Sequence, residues 1–408
     1  MQASKIREIF YFQMNKSLFS YAIFALPLSF VGVPLYIYLP EFYSSNFGIS
    51  LASIGLIILF TRMFDTISDP ICGYLSDKFI KFNKIIICIS ALMLGLSFYF
   101  LFNPFYESKT LNLIFFSIST YFFFSLLTIN HIALIGNFEN KVLVSSLRES
   151  FTVAGLLLAT ILPSLLMLKY SSLQTFQVVG LSVFLLLFLC TWLFYKNVNL
   201  VGVNSEKSFS FKELNNTVIW KYFSVLLLNG MAIATPSTLI LFYIKNFLQL
   251  EKYTGLFLIT YFISAIAFMP LWQFICKKIG AVKLFAIGML CSIAVFSLCY
   301  FVQSGDFIFY LTICFLSGMF FGIDLIAPIL LTNDVIEKQK LESAKTLIFG
   351  ITHFISKIAI AIISGIILIF LGSKSGFEYT QTLHFSYTII PCILKILALF
   401  NLYLLKDL

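Results

Sequence analysis

The sequence predicts an all-α integral membrane protein with twelve transmembrane helices in two six-helix halves. Three observations lead there. The chain is 60% hydrophobic and 11% charged with a mean hydropathy of +0.97, whereas a water-soluble chain runs at roughly half apolar and about a quarter charged. Its apolar runs are long and continuous, where a membrane β-barrel would alternate. Its longest polar connection, 197–219, falls at the middle of 408 residues.

The spans follow in order. Eight stretches are free of charge and long enough to cross a bilayer unaided: 17–40, 85–106, 110–138, 150–168, 170–195, 222–244, 253–276 and 284–305. Four more carry charges: 42–76 with Arg62, Asp65 and Asp69, 307–333 with Asp324, 346–373 with Lys357, and 379–405 with Lys395. The halves are therefore 1–200 and 220–408, joined by a central cytoplasmic loop at 201–219.

Lys and Arg set the orientation. Alternate connections hold eighteen basic residues on one side, from Lys5 and Arg7 to Lys406, and five on the other. Both termini are expected in the cytoplasm, in the cytoplasmic (inner) membrane. The first apolar run has no small-residue cleavage site after it and reads as a retained span.

The formal charge of +9 does not point to nucleic acid, because the basic residues are dispersed over short loops rather than gathered in a patch. They suit topology and anionic lipid. The eight cysteines sit mostly within apolar runs, form no C-x-x-C pair and accompany only three scattered histidines. They read as small apolar residues, not as disulfides or a zinc site. No nucleotide loop or metal-spaced cluster suggests an enzyme.

Ionisable groups inside a membrane are expensive and mark function. The richest stretch is Arg62-Met-Phe-Asp65-Thr-Ile-Ser68-Asp69-Pro70. Asp65 and Asp69 are four apart, so they share a helix face at ~6 Å. Two carboxylates that close do not both stay ionised in a dry site without a counter-charge. A sodium ion or a shared proton supplies it, with Arg62 giving part of the balance; a structural ion pair is the plainer alternative. In the fourth span Thr128 can lend the ion a hydroxyl and Asn130 can bind a solute, while His131 reads as an interhelical histidine. Arg148 opens the fifth span, either snorkelling or dipping into a cavity. Lys357 is too deep to snorkel and can neutralise an acid of the second span. Asp324 either binds substrate or pairs with a buried lysine. Lys395 reads as a snorkelling residue.

These residues resemble a known family. Gly73-x-x-x-Asp77-Lys78, trailed by Lys81 and Lys84, resembles the loop signature of the major facilitator superfamily. Arg62-x-x-Asp65-x-x-x-Asp69-Pro70 after Phe47-Gly48-Ile49-Ser50, Leu147-Arg148, and Phe321-Gly322-Ile323-Asp324 are similar to its glycoside–pentoside–hexuronide:cation symporters, of which the melibiose carrier is the familiar member. The resemblance implies the major facilitator fold and covers nearly the full length; a duplicated six-helix unit is expected to place a shared cavity between the halves at mid-membrane depth. It implies a coupling sodium, lithium or proton at Asp65 and Asp69, with Ser68 and Thr128 as auxiliary ligands. It implies sugar contact at Arg148 and puts Lys357 near the cation. Where the melibiose carrier has two sugar-gripping acids, this chain has Ser29 and Asn130, which departs from a galactoside site. Arg62, Gly73, Asp77, Lys78 and Lys81 are expected to gate, with Asp77 and the two lysines forming an inner latch.

The expected function is symport of a small solute, a sugar or glycoside, coupled to Na+ or H+ by a monomer in the lipid bilayer. No cofactor is expected, and no metal beyond Na+. The alternative is a lysophospholipid transporter of the same fold.

Overall fold

The computed structural model describes residues 16–167, 169–198, 216–372 and 374–404. The central loop expected at 201–219 lies mostly outside them. Among the described residues every regular element is helical.

The first span, α1, runs from Lys16 through Val33, passes a π-helical turn at Pro34–Tyr38 and continues as Leu39–Phe47. It therefore reaches further than expected, and the expected stretch 42–76 divides. Gly48 adopts φ +68° and stops α1, a conformation glycine takes without steric cost. Ser50 then caps the next helix by accepting from the Ser53 amide. That helix, α2, is Leu51–Lys78. There follow α3 (Asn83–Phe102), α4 (Lys109–Ala133), α5 (Lys141–Leu166), α6 (Ser172–Asn197), α7 (Thr217–Phe242), α8 (Thr254–Ile279), α9 (Ala281–Cys299), α10 (Phe307–Lys338), α11 (Lys345–Gly372) and α12 (Gly376–Tyr403). Among the described residues eleven helices are long and apolar enough to cross a membrane. The twelfth is α2, whose length suffices but whose sequence carries Arg62, Asp65, Asp69, Asp77 and Lys78.

One boundary moves a candidate site residue. The Asn140 side chain accepts from the Leu143 amide, so α5 starts at Lys141 rather than at 150. Arg148 thus sits two turns inside the helix and not at its mouth.

The chain separates into two compact units. The first holds Met1–Glu206 with Ala344–Gly350, and the second holds Lys207–Ser343 with Ile351–Leu408. The opening residues of α11 thus sort with the first unit. In the first unit α2 packs on α4, α3 on α4, and α3 on α6; the same pairings recur six helices later, α8 on α10, α9 on α10 and α9 on α12. The first unit adds α1 on α5, the second α7 on α12. This recurrence is the structural counterpart of a duplicated six-helix unit.

Candidate functional site: a buried acid pair and two polar clusters

Asp65 and Asp69 lie on α2 and are 2% and 0% exposed. Pro70, having no N–H, removes the helical hydrogen bond to the Thr66 carbonyl and loosens α2 one residue past Asp69. Ser125 of α4 donates to Asp65 Oδ1 at 2.5 Å. Ser68 is buried and turns its hydroxyl back to the Asp65 carbonyl at 2.9 Å. Thr128, one turn beyond Ser125 on α4, is buried with a hydroxyl that makes no hydrogen bond among the described residues. Arg62 is exposed. Thr128 was the hydroxyl expected beside the pair from the fourth span; the one that bonds Asp65 is Ser125, which the sequence reading did not name. Its signal was present, since it stands three residues before Thr128 and so on the same helix face.

Asn130 sits further along α4. Its Nδ2 donates to Ser76 Oγ of α2 at 2.8 Å and to the Leu126 carbonyl at 2.7 Å. Its Oδ1 is buried without a hydrogen bond among the described residues. Ser29 is half-buried on α1, donates to the Leu26 carbonyl at 3.0 Å, and lies where Gly155 of α5 passes closest.

A second cluster joins α1, α4 and α5. Tyr21 stacks on His131 at 4.2 Å and donates to its carbonyl at 2.7 Å. The His131 ring meets the Tyr21 carbonyl through Nε2 at 2.9 Å, and its Nδ1 accepts from Arg148 Nε at 3.4 Å. That arrangement places the ring proton on Nε2. Arg148 also ion-pairs with Glu149, both buried. His131 is thus the interhelical histidine expected, and Glu149 is an acid the sequence reading passed over.

At the end of α2, Asp77 accepts from the backbone amides of Thr346 and Leu347 at 2.9 and 2.7 Å. These amides are orphan donors in the first turn of α11. A side chain at Gly73 would meet the Thr346 carbonyl at 2.5 Å, and one at Gly350 the Asp69 carbonyl at 2.6 Å. The two backbones touch where both residues lack a Cβ. Asp77 lies past the apolar stretch of α2. Burial pushes its carboxyl up to about 6, against the opposing pull of the Thr346 and Leu347 hydrogen bonds and of Lys345. Lys78 and Lys81 are exposed, and the hydrogen bonds at Asp77 come from the two amides of α11.

In the second unit Lys395 is 2% exposed and pairs with Asp324 at 2.8 Å. The snorkelling expected of Lys395 is therefore wrong. Its ammonium stays inside because Asp324 of α10 and Asn229 of α7 surround it: Nζ reaches Asp324 Oδ1 at 3.0 Å and Asn229 Oδ1 at 3.2 Å. Lys357 is half-buried on α11. Among the described residues no three His, Cys, Asp or Glu side chains gather as a metal-binding group.

Repeated six-helix units with charges buried at mid-helix define a polytopic membrane transporter. The family profile described as "MFS/sugar transport protein" matches residues 20–406, and the chain belongs to that family. The resemblance read from the α2 and loop motifs holds. No curated protein matches the chain. Two solved structures share the fold. A bacterial homologue of the iron transporter ferroportin, outward-facing with soaked iron, is 15% identical with a TM-score of 0.71, over 97% of this chain and 99% of that one. The E. coli fucose:proton symporter FucP, in a variant form, is 13% identical with a TM-score of 0.69, over 96% and 98%.

Proposed function

We propose that this integral membrane transporter is a cation-coupled symporter of a small neutral solute, a sugar or glycoside. It works as a monomer by alternating access, in the cytoplasmic (inner) membrane with both termini inside. The carrying observation is the buried pair Asp65 and Asp69, four residues apart on α2, with the Ser125 hydroxyl on Asp65. Two acids at ~6 Å in a low-dielectric interior favour a shared proton or an oxygen-liganded Na+ or Li+. Ser68, Ser125 and Thr128 supply neutral oxygens around the pair. Arg62 tempers its charge from the helix surface.

Solute contacts are assigned to Arg148, Asn130 and Ser29 of the first unit and to Asp324 and Lys357 of the second. Binding of ion and solute is mutually reinforcing, because coupling between two sites is reciprocal. Release of the clasp formed by Gly73 and Asp77 accompanies the conformational step, with Lys78 and Lys81 beside it on the surface. The family, described as MFS/sugar transport proteins, and the fucose:proton symport of the structural neighbour FucP support this reading.

The experiment is a flux assay in proteoliposomes with a panel of monosaccharides and glycosides, under an imposed proton or sodium gradient. Solute-dependent cation entry supports the reading. Solute movement indifferent to both gradients refutes the coupling.

A lipid-transport reading draws on one feature. A groove of about 560 Å³ on the surface of α2 and α4 is walled by Phe64, Leu111, Phe115, Ile118 and Phe122, and an acyl chain fits it. Lysophosphatidylcholine that competes with sugar uptake, and is itself moved, favours this alternative.

A further inference from the structure

A cavity of about 200 Å³ lies inside the second unit, among α7, α8, α9, α10 and α12. Asp324 and Lys395 are both on its wall. A buried ion pair is weak support for a fold, because desolvation offsets the attraction and a packed apolar pair serves as well. Inside a membrane the balance is harsher still. Charges retained there call for a task beyond packing, and this pair borders open space rather than a dry contact.

The rest of the wall is consistent with a task. Tyr261 of α8 and Ser292 of α9 line the same cavity, and neither hydroxyl has a hydrogen bond among the described residues. Phe321 packs against Tyr261 at 5.3 Å, and Phe296 and Tyr387 complete an aromatic lining. A few convergent polar groups in an apolar, concave space are the ordinary make-up of a small-molecule site.

Charge selects the ligand. Asp324 and Lys395 cancel, and Asn229 holds them in place by donating to Asp324 Oδ1 at 3.4 Å while accepting from Lys395. An anion would face Asp324 and a cation would face Lys395, each unbalancing the cluster. A net-neutral hydroxylated ring disturbs neither: its hydroxyls donate to the carboxylate and accept from the ammonium, and its apolar face lies on the aromatic wall. A cavity of about 200 Å³ is of a size for one small ring.

We propose that Asp324, Lys395, Tyr261 and Ser292 form a solute-binding subsite in the C-terminal unit for a single neutral hydroxylated ring. Asn229 positions the ion pair. This deepens the carrier reading and rests on it.

The test is equilibrium binding to the full chain in nanodiscs, with D-xylose, L-fucose and D-glucose as probes and L-alanine and lysophosphatidylcholine as contrasts. Tyr261→Phe and Ser292→Ala each remove a hydroxyl without touching charge, so the fold is retained. The expected result is monosaccharide binding by the parent, weakened about tenfold by each variant and abolished in the double variant Asp324→Asn/Lys395→Gln. The double variant removes both charges together and leaves no buried ion alone. Proton or sodium flux by Asp65→Asn is read in parallel. Parent-like affinity in all these variants overturns the subsite while leaving the coupling reading intact. A parent that binds no monosaccharide, or binds L-alanine or the lysolipid instead, overturns the ligand class. Loss of coupling in Asp65→Asn with binding unchanged leaves the subsite standing on its own readout.

Discussion

The hydroxyl of Ser125 donates to Asp65 Oδ1 at 2.5 Å across the contact of α4 with α2. A second contact, Asn130 to Ser76 at 2.8 Å, lies further along both helices in the same direction. These two polar contacts tie α4 to the acid-bearing helix. This hydrogen bond holds one Asp65 carboxyl oxygen in place for the ion, and losing a buried hydrogen bond costs about 1 kcal/mol. Ser125→Ala is therefore expected to weaken the coupling cation's apparent affinity about tenfold, with solute binding at saturating cation little changed. Cation titration of solute uptake in proteoliposomes checks this.

The clasp predicts a pH dependence. Asp77 has its carboxyl raised to about 6 by burial, above the ordinary value of 3.8. The folded state then holds more protons than the unfolded state between those values, so stability from this group falls as pH rises through that window. It is fully present below about 3.8 and lost above about 6. Asp77→Asn is expected to shrink the difference in melting temperature between pH 5 and pH 7. Thermal unfolding of the purified protein in detergent at the two pH values measures it.

Gly73 and Gly350 allow backbone contact, since an added Cβ meets backbone atoms at 2.5 and 2.6 Å. Backbone cannot swing aside as a flexible side chain does. Gly73→Ala is expected to cost about 1–3 kcal/mol, as overpacking does, whereas alanine at Gly55, which has open space around it, is expected to cost nothing measurable. Denaturant melts of the two variants decide the comparison.

Lys395→Met leaves Asp324 buried without its ammonium. Removing one partner of a buried pair typically costs about 3–5 kcal/mol. The single variant is expected to melt well below the parent. Adding Asp324→Asn to it is expected to restore most of the loss. Size-exclusion chromatography after heating gives the readout.

Much of the fold was legible because bilayer thickness forces apolar runs of one length, and the runs printed themselves in composition. The acid pair was legible for a local reason: Asp65 and Asp69 share one helix face whatever surrounds them. The boundary near Arg148 was misjudged because the apolar run starts at 150, although the cap at Asn140, ten residues earlier, is a readable helix signal. The fate of Lys395 was not legible. Its partners Asp324 and Asn229 are on two other helices, 71 and 166 residues away, and no spacing rule on one helix reaches them. The clasp was half legible: Asp77 stood in a recognisable motif, but its acceptance of two amides from α11 is a tertiary fact.

Whether Asp65 and Asp69 carry the coupling ion is decided by gradient-driven accumulation in Asp65→Asn and Asp69→Asn, measured beside a solute exchange assay on the same liposomes. Both variants are expected to lose uphill accumulation yet still exchange solute down its gradient. Accumulation at the parent level in both variants would contradict that role.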